Sequence, residues 1–142
     1  MNEFNNTESD SGEAQSPQRL RVVIADDNAD SVEALATVVR TLGHIAIVAR
    51  DGAQAVALAE LDTPDVMFVS IAMPILNGYQ VCSEVRALPR GHKIFLVALT
   101  GWNHEEIATR IRNAGFDYHL VKTFDPVQLE ELLLVRQRGL SV

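Results

Sequence analysis

The sequence predicts an α/β fold in which helices cover both faces of a parallel five-stranded sheet, a doubly wound arrangement. The clearest sign is the apolar run from Val66 to Val69, which lies between Pro64 and Pro74. A continuous run of this kind is typical of a strand that is buried on both faces. Each such run is followed, after a short connection, by a segment whose apolar residues have helical spacing. This alternation requires right-handed crossovers and therefore a parallel sheet.

The first half of the chain contains three predicted strand–helix pairs. The first strand covers 20–25, and we expect Asp30 or Ser31 to cap the helix that ends at Gly43 in a left-handed conformation. The second pair covers 45–49 and 52–61, with Leu61 among the apolar positions of its helix. The central strand then leads through a loop into a helix over 78–88.

Two further pairs complete the predicted fold. The fourth strand covers 94–99 and its helix 104–114, with Gly115 as terminator. The short fifth strand covers 118–121 and ends at Lys122. Asp125 is the expected N-cap of the last helix, since Pro126 is suited to its first turn.

Composition narrows the function classes. A chain of 142 residues fits one domain, and its net charge of −7 argues against nucleic acid as a partner. The single cysteine, Cys82, excludes an intrachain disulfide and is expected to pack as a small apolar residue. The sequence has neither an apolar run long enough to span a bilayer nor a signal peptide. We therefore expect a cytoplasmic protein that does not act in the membrane.

The chain is predicted to have one folded domain between two tails. Residues 1–18 are rich in polar and acidic residues and contain no lysine or arginine, which predicts a disordered tail. The folded domain is expected over 19–136. Residues 137–142 are expected to fray.

Polar side chains stand at the carboxyl ends of four of the five predicted strands. They are Asp26 and Asp27, Ser70, Thr100 and Lys122. Ligands of such sheets bind just beyond these strand ends. Two neighbouring carboxylates suit a hard cation, while a hydroxyl and an ammonium group suit phosphate oxygens. Each signal is weak by itself, but their common location predicts a site.

Four stretches of the chain carry a resemblance to a known family. From about residue 20 to 135, the sequence resembles the receiver domain of response regulators, the phosphoryl-accepting module of two-component signalling, and in particular the receivers attached to hybrid sensor kinases. The matching stretches are 22–28 (VVIADDN), 72–79 (AMPILNGY), 98–101 (ALTG) and 114–122 (AGFDYHLVK). The resemblance implies a flavodoxin-like (βα)5 fold with strand order 2-1-3-4-5.

The resemblance also implies roles for individual residues. Asp26 and Asp27 match the acidic pair that holds Mg²⁺, and Ala72 matches the residue whose backbone carbonyl also binds the metal. Thr100 and His119 match the hydroxyl and aromatic switch positions. In the same way, Lys122 matches the lysine that pairs with the phosphoryl acceptor.

The acceptor position falls on Ser70, where the family has aspartate. A serine hydroxyl must lose its proton before it attacks, which normally requires a neighbouring base. Loss of a carboxylate should weaken Mg²⁺ binding and relieve repulsion, so that Lys122 can settle between the remaining acids. A second departure is Thr123, where receivers have proline after a cis bond. Since a non-proline cis bond is costly, we predict a trans Lys122–Thr123 bond.

We therefore expect an atypical single-domain response regulator, or pseudo-receiver, that is not an enzyme and acts by protein–protein interaction without aspartyl phosphorylation. Two alternatives stay open: a switch in which Ser70 itself is phosphorylated, and an ordinary Mg²⁺-dependent receiver whose aspartate was engineered to serine. A metabolic enzyme is disfavoured, because the chain has no glycine-rich phosphate loop and no nucleophile–base pair.

The resemblance also implies which partners such a domain would bind. They are a histidine kinase, a phosphotransfer protein, or another receiver or output protein, bound through helix 4, strand 5 and helix 5 (residues 100–136). A homodimer through this face is also open. We expect no output domain after the last helix, and we therefore expect any effect to pass through another protein or through the acidic N-terminal tail.

Overall fold

A single parallel sheet of five strands organises the computed structural model, which describes residues 19–139. The strand order is β2-β1-β3-β4-β5, with all neighbours parallel. This is the predicted flavodoxin-like order. The strands are β1 (Arg21–Ala25), β2 (Ile45–Ala49), β3 (Val66–Ser70), β4 (Phe95–Thr100) and β5 (Tyr118–Val121). Every residue of β3 and β4 is buried, as expected for the central strands of a sheet covered on both faces.

Five helices alternate with the strands. They are α1 (Ala29–Thr41), α2 (Gly52–Asp62), α3 (Gly78–Arg86), α4 (Glu105–Ala114) and α5 (Pro126–Gln137). The predicted end signals are confirmed at three helices: Gly43 and Gly115 have φ values of 94° and 114°, and Asp125 caps α5 with Pro126 in the first turn. Among the described residues, the helices are all too short or too polar to cross a membrane.

The core consists of two apolar layers on opposite faces of the sheet. One layer packs α1 and α5 against the sheet, with Val32, Val39, Leu129 and Leu133 fully buried. The other packs α2, α3 and α4, and it contains Cys82 with no exposed surface. The prediction that Cys82 is a core residue is confirmed.

Two local predictions are wrong. The N-cap of α1 is Asn28, whose side-chain oxygen accepts a hydrogen bond from the Ser31 N–H at 2.9 Å. Asp30 instead lies in the first helical turn, where a carboxylate still favours the positive end of the helix dipole. Leu61 is 82% exposed, because α2 buries Ala55 and Ala59. Since α2 is apolar on most sides, its sequence periodicity does not identify the buried face.

The expected tails lie largely outside the described part of the chain. Residues 1–18 and 140–142 are not described. At the C-terminal boundary, α5 extends to Gln137 and Arg138 is its C-cap.

Candidate functional site

The carboxyl ends of β1, β3 and β4 bring three buried polar residues to one edge of the sheet. Asp26, Ser70 and Thr100 are 1%, 2% and 3% exposed. They are neighbours because β3 lies between β1 and β4 and pairs with both in parallel register. Buried polar groups need partners, since an unsatisfied one is costly. The contacts of these three residues therefore define the chemistry of the site.

An ion pair between Asp26 and Lys122 forms the centre of the site. The Lys122 ammonium donates to Asp26 Oδ2 at 2.9 Å, and the backbone N–H of Asn28 donates to Asp26 Oδ1 at 3.1 Å. The Asp26 side chain is 2% exposed and that of Lys122 is 34% exposed. The pair thus joins a buried carboxylate to a cation that still reaches solvent.

The hydroxyl of Ser70 lies within reach of the same ammonium. Lys122 Nζ donates to Ser70 Oγ at 3.4 Å, a longer and weaker contact than its bond to Asp26. The start of α3 lies close to the backbone of Ser70, since a Cβ added to Gly78 would lie 2.7 Å from the Ser70 carbonyl oxygen. Gly78 therefore allows the close approach of α3 to the end of β3.

Lys122 reaches the site because its own backbone is fixed to β4. Its N–H donates to the Thr100 carbonyl at 2.7 Å, one step beyond the pairing of Thr100 with Val121. The Lys122–Thr123 peptide bond is cis, so the prediction of a trans bond is wrong. That prediction weighed only the local preference of the peptide bond, whereas tertiary contacts hold both the backbone and the side chain of Lys122.

Asp27 and Ala72 border the site but are exposed. The Asp27 carbonyl accepts a hydrogen bond from the Arg50 guanidinium at 2.9 Å, a contact that the sequence did not signal. Ala72 lies in the loop two residues after Ser70. Oxygen ligands from these residues and Asp26 suit a hard cation. Within residues 19–139, however, no three His, Cys, Asp or Glu side chains are grouped to hold a metal.

Thr100 and His119 have different relations to the site. Thr100 Oγ1 accepts a hydrogen bond from the Trp102 N–H at 3.1 Å, so the threonine hydroxyl remains at the sheet edge. The His119 ring instead lies 6.3 Å from the Tyr118 ring and lines a groove with Ala108 and Ile111 of α4. The described contacts therefore bring Asp26, Ser70 and Lys122 together, while His119 lies on the α4 side of β5.

Two other titratable residues lie away from this site. Burial, with a smaller effect of the Arg19 charge, lowers the pKa of His44, while Asp65 acts in the opposite sense. His44 Nδ1 accepts a hydrogen bond from the buried Leu20 N–H at 3.1 Å. Burial raises the pKa of the Cys82 thiol to about 11. Both groups have structural roles in their uncharged forms.

Sequence comparison identifies relatives of this chain. Residues 22–134 match the family model of the response regulator receiver domain. An uncharacterised 14.6 kDa protein of Leptolyngbya boryana is 29% identical, over 84% of this chain and 91% of the relative. The transcriptional regulatory protein PdtaR of Mycobacterium tuberculosis is 35% identical, over 85% of this chain and 60% of the relative. A probable transcriptional regulator of Guillardia theta is also 35% identical, over 78% and 42%. This chain therefore spans less than two thirds of these two regulators.

Structure comparison leads to the same group of proteins. The receiver domain of a sensor histidine kinase from Pseudomonas aeruginosa has a TM-score of 0.78 and 27% identity, covering 86% of this chain and 99% of that domain. That structure has a magnesium ion coordinated in its active-site cleft. A chemotaxis protein of Vibrio cholerae has the same fold, with a TM-score of 0.78 and 24% identity over 82% of this chain and 98% of its own.

Proposed function

The chain belongs to the family of response regulator receiver domains, and from that premise we propose that it acts by protein–protein interaction without aspartyl phosphorylation. Receiver domains are modules of two-component signalling that interact with histidine kinases, phosphotransfer proteins or output domains. The proposal concerns what this member does with its site. It gives Ser70 the position that an acceptor aspartate has in the family.

The single observation that carries the proposal is the environment of the Ser70 hydroxyl. Its described polar neighbour is the Lys122 ammonium, which is a donor and therefore does not remove a proton. The buried carboxylate at this edge of the sheet, Asp26, already accepts from Lys122 and from the Asn28 N–H. A serine nucleophile needs an adjacent base, and these contacts favour a hydroxyl that keeps its proton.

The burial of Ser70 also counts against its use as a substrate of a serine kinase. Ser70 is 2% exposed and ends a central strand, and the N–H of the next residue, Ile71, donates to the Leu99 carbonyl at 2.9 Å. A kinase that must reach the hydroxyl would have to free this strand end first. We therefore favour a receiver that is not switched by phosphorylation of Ser70.

Asp26, Asp27 and the Ala72 carbonyl would hold a magnesium ion, although weakly. Magnesium binds readily through one or two carboxylates when phosphate oxygens complete its ligands, and both carboxylates are present. The Lys122 ammonium at 2.9 Å from Asp26 competes with a cation for the same carboxylate. When bound, the ion would neutralise negative charge beside Ser70.

The face formed by α4, β5 and α5 is the proposed contact surface for a partner or a second copy. Six large apolar side chains of the described chain are exposed, and four of them lie within residues 100–136: Trp102, Tyr118, Val127 and Leu134. A groove of about 390 Å³ runs between β5 and α5 and is lined by Tyr118 and Leu134. Exposed apolar side chains at a groove are typical of interaction sites. We assign the domain to the cytoplasm, where two-component partners would meet it.

Exposure to a small phosphoryl donor tests the proposal directly. The chain and its Ser70→Asp variant are incubated with acetyl phosphate and Mg²⁺, and their intact masses are measured. We expect no phosphoryl group on Ser70 and an alkali-labile phosphoryl group on the variant. A stable phosphoryl group on Ser70 of the unmodified chain would contradict the proposal and favour a serine switch.

A second experiment tests the contact surface. Leu134→Arg adds a charge to the groove, and Leu61→Arg is the control because Leu61 is exposed on α2, outside this face. Sedimentation velocity measures self-association of both variants. Dissociation by Leu134→Arg alone supports the face, whereas equal effects of both variants would contradict it.

A further inference from the structure

The amino edge of the sheet, opposite the candidate site, carries a group of exposed basic side chains. The connection from α3 to β4 contains no aspartate or glutamate, and Arg90, His92 and Lys93 are exposed on it. We define the basic patch as these three residues together with Arg138, the exposed C-cap of α5. No carboxylate of the described chain lies within ion-pair distance of the patch. Glu60 lines a groove with Arg90 but does not pair with it.

A hydrogen bond brings the two parts of the basic patch together. The Arg136 guanidinium donates to the Lys93 carbonyl, and it lies 5.9 Å from the centre of the Phe95 ring. The last turn of α5 is therefore held beside the start of β4. Arg138 follows two residues later, so its charge lies near that of Lys93, and Arg136 adds a further positive charge between the two segments.

Three aspartates at the same edge are engaged elsewhere. Asp62 pairs with Arg21, and Asp117 pairs with Arg86 at 2.9 Å. Asp65 Oδ2 accepts a hydrogen bond from the Arg21 N–H at 2.8 Å. The basic patch therefore keeps an excess of positive charge, and a carboxylate that pairs with it has to come from outside the described part of the chain.

The N-terminal tail joins the domain at the level of the basic patch. The register of the sheet places Val22 beside Val66, and Val66 beside Phe95. Leu20 and Lys93 each lie two residues before Val22 and Phe95, so they are at the same level of the sheet. One strand, β3, separates β1 from β4. The distance between these two strands is therefore about 10 Å, at ~4.8 Å per neighbour.

The tail has the opposite charge and sufficient length. Residues 1–18 contain no lysine or arginine and four acids: Glu3, Glu8, Asp10 and Glu13. Glu13, the last of these acids, lies six residues before Arg19, and six extended residues span up to about 20 Å. This length is about twice the distance from β1 to β4. The tail carboxylates can therefore reach the basic patch of their own chain.

We propose that the acidic N-terminal tail of this chain docks on the basic patch and covers the amino edge of the sheet. Exposed ion pairs are individually weak, so the contact is reversible and depends on several charges together. It is also sensitive to salt, because the screening length falls from about 10 Å at 0.1 M to about 3 Å at 1 M. The inference goes beyond the proposed function and is independent of it, since the patch lies at the opposite end of the strands from Ser70.

Paramagnetic broadening of amide NMR signals tests the inference on the full chain. Ser11→Cys provides a spin-label position between Asp10 and Glu13. Cys82 stays unlabelled because it is fully buried and burial raises the pKa of its thiol to about 11. At about 0.01 M salt we expect the label to broaden the amide signals of the basic patch. Sodium chloride at about 1 M should restore these signals, because it screens the charges.

Two double variants with the same change in charge separate docking from simple tethering. Lys93→Glu/Arg138→Glu reverses the charge of the patch and should restore its amide signals at low salt. Arg50→Glu/Arg110→Glu is the matched control and should keep the broadening. Both arginines are exposed toward the carboxyl edge, since Arg50 follows β2 and Arg110 lies 4.2 Å from the Tyr79 ring at the start of α3. Unchanged amide signals in β1 and β3 show that each variant is folded.

Four results would overturn the inference. Equal broadening in both double variants, or broadening that persists at about 1 M salt, would mean that the tail is only tethered nearby. Loss of broadening in both variants would mean attraction to the charge of the whole domain. Broadening of an isotope-labelled chain by a separate spin-labelled chain would assign the contact to a second copy. Broadening that is removed by salt and by patch reversal, but kept in the control, supports the intrachain contact.

Discussion

The ion pair between Lys122 and Asp26 makes the sharpest prediction about stability. Lys122→Met keeps the apolar stem of the side chain and removes the ammonium. Asp26, with its side chain 2% exposed, would then keep the Asn28 N–H as its described donor. Removal of one partner from a buried pair is costly because the other charge stays buried without compensation. We therefore expect the variant to be destabilised.

The magnitude follows from the distance and the exposure. Two unit charges 2.9 Å apart attract by about 6 kcal/mol at an effective dielectric constant of about 20. Lys122 is about one third exposed, and solvent screens that part of the interaction. We expect a loss of about 2–3 kcal/mol of unfolding free energy, below the ~3–5 kcal/mol of a fully buried pair. For a domain of this size, the loss corresponds to a fall in Tm of roughly 10 °C.

Urea unfolding followed by circular dichroism measures this loss, provided that the m-value is unchanged. Lys93→Met is the matched control, because Lys93 is the other lysine of the chain and is exposed. The double variant Asp26→Asn/Lys122→Met completes a cycle, and it should lose less than the sum of the two single changes. If Lys122→Met and Lys93→Met lower the unfolding free energy by the same amount, within about 0.5 kcal/mol, the assigned role of the ion pair is wrong.

Three further predictions concern other positions. Without metal, Ser70→Asp should unfold at a lower temperature than the unmodified chain, because the new carboxylate is desolvated at a 2%-exposed position and must share Lys122 with Asp26. Millimolar Mg²⁺ should restore the unfolding temperature. A metal-free variant that unfolds at a higher temperature than the unmodified chain would contradict this reasoning. His44 has a lowered pKa, so its contribution to the unfolding free energy is complete above the ordinary pKa of 6.5 and is lost as pH falls below that value. Between pH 7.5 and pH 5.5, the unfolding free energy measured with urea should therefore fall more for the unmodified chain than for His44→Asn. The asparagine keeps an acceptor for the Leu20 N–H but does not titrate. An equal fall in unfolding free energy for both proteins would refute the role of His44. Cys82 is fully buried with a pKa of about 11, so at pH 8 it should react with a thiol reagent only as fast as the domain opens, and rapid labelling of the native protein would refute this.

Local sequence signals determined most of the fold. All five predicted strands and five predicted helices are present, with ends that differ by one or two residues at most positions. The best predicted boundary is the start of α5, where Asp125 and Pro126 act through contacts within one helical turn. Such signals succeed because the interacting groups are close in sequence.

Two predictions, the N-cap of α1 and the buried face of α2, failed because several residues satisfied the same local rule. Asn28, Asp30 and Ser31 are all good capping residues, and α1 begins at Ala29, which makes Asn28 the N-cap. Almost every position of α2 could face the core, and packing against the sheet selected Ala55 and Ala59 over Leu61. For α2, the choice depends on contacts between elements that are distant in sequence.

The sequence alone determined the chemical groups of the candidate site and the strand ends that carry them. Only the tertiary structure decided which groups meet. Lys122 bonds to Asp26, 96 residues earlier in the chain, and lies farther from Ser70, whereas His119 lies toward α4. The physical reason is that strand ends follow from local patterns, but an ion pair depends on distance and burial, which arise when the sheet assembles.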